Sequence, residues 1–258
     1  MARIIAICNR KGGTGKTTTS VNLGAYLAEM GYFALLVDLD PQANATSGLG
    51  VNHRELKHGM YHAIIGDRDQ KDVLMRTQHD GYDLAPSSIS LSGVNIELVP
   101  HEKREFKLRE ALVNIRNDYD FILIDCPPSL GLLTVNALVA ASEVLIPIQC
   151  EYYALEGISA LVSTIQQIRG SINPGLQIEG ILRTMYDPRN NLARQVSEEL
   201  IAHFGDKVFR TIVPRNVRLA EAPSHGLPAF DYDSQSKGAQ AYLALAGEVL
   251  RGSSRKAA

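Results

Sequence analysis

The sequence predicts an α/β fold, with a doubly wound, mostly parallel sheet and helices on both faces. Short apolar runs rich in β-branched residues alternate with longer stretches of helical periodicity. This alternation implies right-handed crossovers between parallel strands. Four of the apolar runs lack polar alternation, which is typical of strands buried on both faces of a parallel sheet: Ile4–Cys8, Leu35–Val37, Phe121–Ile124 and Val144–Ile148.

The same patterns give the order of the elements along the chain. The predicted strands are Arg3–Cys8, Phe33–Asp38, Tyr82–Pro86, Phe121–Asp125, Val144–Gln149, Gln177–Met185 and Val208–Val213. The predicted helices are Lys16–Met30, Lys103–Asn117, Leu132–Ala141, Leu155–Arg169, Leu192–Phe204 and Lys237–Leu250, with Gly31 and Gly170 expected as C-terminal caps. No repeat or linker divides the chain. We therefore predict one domain over residues 1–251 and a disordered, basic tail over residues 252–258.

The composition is that of an ordinary globular protein. The chain has 258 residues, 45% hydrophobic and 21% charged, with a net charge of −2 that leaves nucleic acid neither indicated nor excluded. No apolar run approaches the roughly 20 residues that span a membrane, and no targeting segment is recognisable. Cys8, Cys126 and Cys150 each lie in or beside an apolar stretch, so we expect buried thiols in a reducing compartment. A cytoplasmic protein is the expectation.

The segment from residue 11 to residue 18, KGGTGKTT, follows a predicted strand and opens a predicted helix. A P-loop requires that context, because its glycines turn backbone N–H groups toward phosphate oxygens at a helix N-terminus. Lys16 is expected to neutralise charge on the β- and γ-phosphates, and the Thr17 hydroxyl to ligate Mg²⁺. The alternative is a glycine-rich turn without a ligand. The residues predicted to bind ATP here are Lys11, Gly12, Gly13, Thr14, Gly15, Lys16, Thr17 and Thr18.

Carboxylates follow two of the buried strands. Asp38 and Asp40 come at the end of the second predicted strand, and Asp125 ends the fourth in a Walker B pattern. Ligands of open α/β sheets bind beyond the carboxyl ends of the strands. Neighbouring acids there repel each other unless a cation or water lies between them. Asp125 is therefore expected to hold a magnesium-bound water. For Asp40, the alternative to a role at the ligand is that it only caps the next segment.

These motifs resemble those of the ParA/MinD family of deviant Walker ATPases, whose P-loop pattern KGGxGKT carries a second lysine, here Lys11. Three further segments are similar to the small chromosomal ParA branch, Soj. They are DPQANATSGLG at 40–50, QCEYYALEG at 149–157 and VPRNVRLAEAPS at 213–224. The likeness extends from Ile4 to about Val249, which makes it far more specific than a P-loop alone.

The resemblance implies how the nucleotide is held and hydrolysed. Lys11 would reach across a dimer interface, beside Gly12, to the partner's ATP, so that two subunits enclose two nucleotides. Asp40 would orient the attacking water, and Asp38 would belong to the magnesium shell. The catalytic residues implied are thus Lys11, Lys16 and Asp40.

Residues near the C-terminus are implied to contact the adenine and DNA. Pro214 and Asn216 would lie near the adenine, and Arg189 and Arg218 would contact phosphates of double-stranded DNA. A basic surface is consistent with the arginines of the C-terminal half: Arg183, Arg189, Arg194, Arg215 and Arg218. Because non-specific affinity comes from phosphate neutralisation, joining two half-patches in a dimer would roughly double the contacts. The implied function is chromosome or plasmid segregation on the nucleoid, with hydrolysis stimulated by a ParB-type centromere-binding protein.

Three positions depart from the Soj pattern. Arg10 stands where Gln is usual, Thr14 where Val is usual, and Leu227 where Lys or Arg is common. The first two flank the phosphates and are placed to alter turnover. Leu227 removes one basic contact, which weakens the case for tight DNA binding.

Other activities of the same family are alternatives. A membrane-surface ATPase like MinD needs a C-terminal amphipathic helix, and the residues after Leu250 have no apolar face. An electron-transfer ATPase of the nitrogenase-iron-protein kind needs subunit-bridging cysteines, and no accessible second cysteine is evident. A ParA-like ATPase that positions another cargo would have identical ATPase residues, so this alternative stays open.

Overall fold

The computed structural model describes residues 2–256 and contains an eight-stranded sheet. The carboxyl ends of its parallel strands all lie on the same side of the molecule. The strands are β1 (Arg3–Ile7), β2 (Ala34–Asp38), β3 (Met75–Arg76), β4 (Tyr82–Ala85), β5 (Phe121–Asp125), β6 (Glu143–Gln149), β7 (Gln177–Tyr186) and β8 (Val208–Pro214). Their order is β3-β4-β2-β5-β1-β6-β7-β8, and every pairing is parallel except that of β3 with β4. The predicted α/β fold is confirmed.

Helices cover both faces of this sheet. The α-helices of the described residues are α1 (Lys16–Glu29), α2 (Asn44–Gly48), α3 (Met60–Ile65), α4 (Gln70–Val73), α5 (Val94–Glu97), α6 (Lys107–Leu112), α7 (Leu132–Ala140), α8 (Ala154–Ser171), α9 (Asn191–Phe204), α10 (Val217–Glu221), α11 (Ala229–Asp233) and α12 (Lys237–Lys256). Short 3-10 turns lie at Ile89–Gly93, Arg104–Phe106, Gly205–Lys207 and Ala222–His225. None of the helices within residues 2–256 combines the length and apolar character that a membrane crossing needs.

Two hydrophobic clusters lie on opposite faces of the sheet. Ile5 and Ile7 of β1 pack in one cluster with side chains of α1 and α12. Ala6 and Cys8 pack in the other with side chains of α7, α8 and α9. Successive side chains of a strand point to opposite faces, so the uninterrupted apolar run of β1 supplies both clusters. This explains why the central strands show no polar alternation.

Local structure departs from the prediction where tertiary contacts decide it. The predicted helix Lys103–Asn117 is reduced to a 3-10 turn and the six residues of α6. Lys103 has a φ of 57°, and Asn136 of α7 accepts a hydrogen bond from the Leu108 N–H at 3.0 Å, so a contact from another helix fixes where α6 begins. The two-residue strand β3 and the short helices α2 to α5, α10 and α11 were not predicted, because segments this short show no clear periodicity.

The two predicted glycine caps have different outcomes. Gly31 follows α1 with a φ of +87°, and its N–H donates to the Ala28 carbonyl at 2.8 Å, as a helix terminus requires. Gly170 lies inside α8, which runs on to Ser171, so that cap prediction is wrong.

The last helix is also longer than predicted. Helix α12 continues to Lys256, where a disordered tail from residue 252 was predicted. A Cβ at Gly252 would lie 2.7 Å from the Glu179 Oε1 of β7, so the helix is closely packed against the sheet at this point. Residues 257 and 258 lie outside the described part of the chain.

Candidate active site

The loop between β1 and α1 forms an open cradle at the N-terminus of a 14-residue helix. Gly13 and Gly15 have φ values of +71° and +85°, in the left-handed region that side chains disfavour. Gly12 has no positive φ, and a Cβ built on it meets no atom within 4 Å. The first N–H groups of such a helix lack intrahelical partners and attract anions. The loop therefore has the form that phosphate binding needs.

Neighbouring strands brace this loop from outside. The Asn9 Nδ2 donates to the Pro147 carbonyl at 2.7 Å, and its Oδ1 accepts from the Lys11 N–H at 3.0 Å. The Thr184 hydroxyl of β7 donates to the Thr14 carbonyl at 2.8 Å. The sequence reasoning missed Asn9 and Thr184, for which the only signal was a polar residue near the end of an apolar strand.

Lys16 and Thr17 face the interior of the site. Lys16 is 7% exposed, and its Nζ donates to the Lys11 carbonyl at 3.1 Å, which places its charge over the loop. The Thr17 hydroxyl donates to Asp125 Oδ2 at 2.8 Å, and the Ser20 hydroxyl donates to Asp125 Oδ1 at 2.9 Å. Because the Thr17 proton is directed to Asp125, the lone pairs of the hydroxyl oxygen are available to a cation. The fold thus brings the P-loop and the predicted Walker B acid together.

Asp38 and Asp125 are aligned on the adjacent strands β2 and β5, and both are fully buried. Burial and the neighbouring Asp38 carboxylate raise the pKa of Asp125 to about 7. Burial raises the pKa of Asp38 to about 6, although hydrogen bonds from Thr46 act in the opposite direction. A divalent cation beside the pair would favour the ionised forms, and oxygen donors are the ligands that Mg²⁺ prefers. The residues present therefore fit a magnesium ion held together with a nucleotide.

Asp38 also shapes the segment that follows it. Its Oδ2 accepts from the N–H and the hydroxyl of Thr46 at 2.8 and 2.7 Å, and its Oδ1 accepts from the Asp40 N–H at 3.1 Å. Asp38 thereby fixes the turn that carries Asp40, a structural role that the sequence did not reveal.

Asp40 is held within that turn. It is 8% exposed, its Oδ1 accepts from the Gln42 N–H at 3.0 Å, and its carbonyl accepts from the Ser87 hydroxyl at 2.7 Å. The N-cap of α2 is Ala43, with no capping side chain. Asp40 therefore bonds within its own turn and does not cap the helix.

Lys11 lies outside its own cradle. Its Nζ forms an ion pair with Glu151, which follows β6, and both side chains are about half exposed. In a single chain the second lysine of the P-loop is therefore directed along the surface toward the start of α8.

The predicted adenine and DNA residues lie around the ends of β7 and β8. Pro214 ends β8, and the Asn216 Oδ1 accepts from the Arg218 N–H at 2.9 Å as the N-cap of α10. Arg189 pairs with Asp187 at 2.8 Å, and Arg218 pairs with Glu221 at 2.8 Å and with Asp233 at 3.3 Å.

One arginine of the predicted basic surface is not on the surface. Arg183 is 6% exposed, and its guanidinium donates to the Ser197 hydroxyl at 2.9 Å and to the Phe209 carbonyl at 2.8 Å. The pairing of β7 with β8 is irregular next to it, and the side chain joins these strands to α9. Its inclusion in the surface was wrong.

Comparison with known proteins gives consistent results. A family model described as an AAA domain matches residues 2–178. The chain is 54% identical to the sporulation initiation inhibitor protein Soj of Bacillus subtilis, over 96% of this chain and 98% of that protein. It is 49% identical to the chromosome partitioning protein ParA of Caulobacter vibrioides, over 96% and 94%. A crystal structure described as cobyrinic acid a,c-diamide synthase of Mycobacterium smegmatis, with bound ADP and magnesium, has a TM-score of 0.86 at 37% identity, over 97% of this chain and 95% of that one.

Proposed function

Because the chain belongs to the ParA/MinD family of P-loop ATPases, in the Soj branch, we propose that it hydrolyses ATP as an Mg-ATP-dependent dimer that segregates chromosomes or plasmids. The dimer binds double-stranded DNA non-specifically in the cytoplasm, on the nucleoid. A ParB-type centromere-binding protein stimulates hydrolysis and releases the dimer.

The meeting of Lys16, Thr17 and Asp125 at an open glycine cradle carries this proposal. Lys16 binds the β- and γ-phosphates, and Thr17 ligates the magnesium ion. When bound, that ion neutralises phosphate charge. Asp125 holds the Thr17 hydroxyl in place and accepts from a water of the magnesium shell. Catalysis then depends on positioning and on charge neutralisation.

Hydrolysis is the attack of water on the γ-phosphate, giving ADP and phosphate. Asp40 orients the attacking water, since its carboxylate lies on a turn that Asp38 and Ser87 hold in place. Pro214 and Asn216 border the adenine from the end of β8.

Dimerisation requires Lys11 to exchange its partner. Lys11 now pairs with Glu151 of its own chain. In the dimer it leaves Glu151 and reaches the partner's ATP. An ion pair this exposed contributes only about 0.2–1 kcal/mol, so the exchange costs little.

Gly12→Val tests the shared interface. In the single chain a Cβ at Gly12 meets nothing within 4 Å, and the residue has no positive φ. We therefore expect the variant to fold and to bind ATP but to remain a monomer, because the added side chain meets the second subunit. The measurements are the binding of a fluorescent ATP analogue and the mass in solution, with and without Mg-ATP.

Gly170→Val is the matched control. Gly170 also has open space around it, and it lies in α8, away from the P-loop. This control is expected to dimerise as the wild type does. A Gly12→Val protein with normal ATP-dependent dimers would contradict the proposed interface.

A further inference from the structure

Two cysteine thiols face each other directly behind the proposed nucleotide site. Cys8 and Cys126 are the residues that follow β1 and β5, whose last aligned pair is Ile7 with Asp125. The Cys8 thiol donates to the Cys126 Sγ at 2.8 Å. Both residues are buried, and both belong to the hydrophobic cluster on the face opposite α1. The pair therefore lies on the reverse side of the strands that carry the P-loop and Asp125.

The backbone geometry is compatible with a bond between these sulfurs. Neighbouring strands lie about 4.8 Å apart, within the Cα separations of about 4.4–6.8 Å that disulfides span. An S–S bond is about 2.05 Å long, so the two sulfurs need to approach by less than about 1 Å. Cys150 is also buried, and no sulfur contact of this kind is seen for it in the described residues.

We propose that Cys8 and Cys126 are a redox modification site, at which a peroxide forms a reversible disulfide that impairs nucleotide binding and turnover. The regulatory meaning of this modification rests on the ATPase function proposed above. The bond itself, and its effect on nucleotide affinity, are measured without assuming that function.

The chemistry balances with hydrogen peroxide as the oxidant. One thiol, as its thiolate, attacks a peroxide oxygen, which gives a sulfenic acid and releases one water after protonation. The second thiolate attacks the sulfenic sulfur, the S–S bond forms, and a second water leaves. Two thiols and one peroxide thus become one disulfide and two waters, the sulfurs being oxidised and the peroxide reduced.

Burial controls the rate of this reaction. Both thiols are almost completely buried, so peroxide reaches them only when the surrounding structure opens locally. A nucleotide that binds only the folded site makes such opening rarer, so we expect bound nucleotide to slow the oxidation.

The disulfide acts on the proposed nucleotide site through the residue next to each cysteine. Cys126 is adjacent to Asp125, whose carboxylate positions Thr17 and Ser20. Cys8 is adjacent to Asn9, which braces the loop at the Lys11 N–H. The movement of less than about 1 Å that the S–S bond requires falls on residues directly beside Asp125 and Asn9. Since a misplacement of about 1 Å can cost about 10²-fold in rate, turnover is expected to fall by about tenfold or more.

The test treats reduced, full-length protein with hydrogen peroxide at neutral pH, with and without Mg²⁺ and a non-hydrolysable ATP analogue. Non-reducing peptide mass mapping detects a Cys8–Cys126 bond, and nucleotide affinity and ATP turnover are measured on the same samples. We expect the bond to form, affinity and turnover to fall, the analogue to slow the reaction, and dithiothreitol to restore both properties.

Single alanine variants identify the pair. Cys8→Ala and Cys126→Ala each remove one partner, and both are expected to keep nucleotide affinity after peroxide treatment. Cys150→Ala retains the pair and should respond as the wild type does. If reduced protein binds nucleotide without hydrolysing it, the proposed ATPase function fails, while a peroxide-dependent loss of affinity still supports the disulfide.

Three results would overturn the inference. The bond could be absent from native protein although protein oxidised in urea forms it. It could form without changing nucleotide affinity or turnover. Cys8→Ala could lose affinity under peroxide as fast as the wild type, which would place the damage elsewhere.

Discussion

In two regions of this molecule, the pKa values of aspartates are shifted in opposite directions. In the nucleotide site, burial raises the pKa of Asp38 to about 6 and that of Asp125 to about 7. In the segment that follows β7, hydrogen bonds from Arg189 lower the pKa of Asp187 to about 2. The first region holds acids whose ionisation the fold opposes. The second holds a carboxylate whose negative charge is compensated by a neighbouring arginine.

The two regions also differ in how their contacts are built. Asp125 is bonded to Thr17 and Ser20, which are more than 100 positions away in the sequence. Arg189 pairs with Asp187, two residues away, and Arg218 pairs with Glu221, three residues away, and with Asp233 of α11. The proposed nucleotide site is therefore held by contacts across the fold, whereas the arginines would have to exchange partners to reach DNA as proposed. We expect large effects of mutation in the first region and smaller, salt-dependent effects in the second.

Lys16→Ala should have the largest effect. Lys16 is a buried cation over the loop, and the proposed ATP binding depends on it. Removing one partner of a buried charge pair costs about 2–5 kcal/mol, so affinity should fall by at least about 30-fold. Titration with a fluorescent ATP analogue measures this, with circular dichroism to check folding. Wild-type affinity in this variant would mean that the P-loop assignment is wrong.

Asp40→Ala should separate binding from hydrolysis. The cradle formed by Gly13, Gly15 and Lys16 does not involve the Asp40 side chain, so ATP binding should persist. The attacking water loses its orientation, and turnover should fall by about 100-fold, with dimers accumulating. Phosphate release and solution mass are the measurements. Normal turnover would remove the assigned role of Asp40, and loss of ATP binding would show that it has a different one.

Arg189→Glu and Arg218→Glu test the exposed region. Each variant removes a proposed phosphate contact, twice per dimer, so the salt exponent of DNA binding should fall by about 2. ATP binding and dimerisation should survive. Lys71→Glu makes the same charge change at an exposed ion pair with Asp118 and serves as the control. If both arginine variants bind DNA as the wild type does, the DNA surface lies elsewhere.

The core of the proposed nucleotide site could be predicted from the sequence. Its residues either lie in one segment or are the last residues of strands. The P-loop is one segment, and parallel strands bring Asp38 and Asp125 to one edge. These placements follow from the motif and the strand order. The C-terminal surface has no such constraint, and there the roles of Arg189 and Arg218 were implied by the family resemblance.

The supporting contacts could not be predicted in the same way. Asn9 reaches Pro147, and Thr184 reaches Thr14, across 138 and 170 positions. A single polar residue has no periodicity that would identify its distant partner. Arg183 was misplaced for the same reason, since arginine is usually exposed, whereas this side chain is buried against Ser197 and the Phe209 carbonyl.

The expected effect that is least connected with function concerns the pH dependence of stability in nucleotide-free protein. The pKa of Asp125 is about 7 in the folded chain and close to 3.9 when unfolded. A raised folded pKa means that the native state holds its proton more tightly, so stability is greatest at low pH and is lost as pH rises from about 4 to 7. Asp125→Asn removes that loss. The variant should therefore match the wild type near pH 4.5 and exceed it by about 10 °C in Tm near pH 8.

Asp187→Asn is the opposite case from the exposed region. Its lowered pKa gives stability that is present above the unfolded value and lost as pH falls toward 2. Solvent screens the exposed ion pair of Asp187 with Arg189. The Tm of the Asp187→Asn variant should therefore differ little from that of the wild type between pH 4.5 and 8. Thermal unfolding across that range, without nucleotide or Mg²⁺, measures both variants. An Asp125→Asn protein less stable than the wild type at pH 8 would show that the hydrogen bonds from Thr17 and Ser20 outweigh the cost of burying the charge.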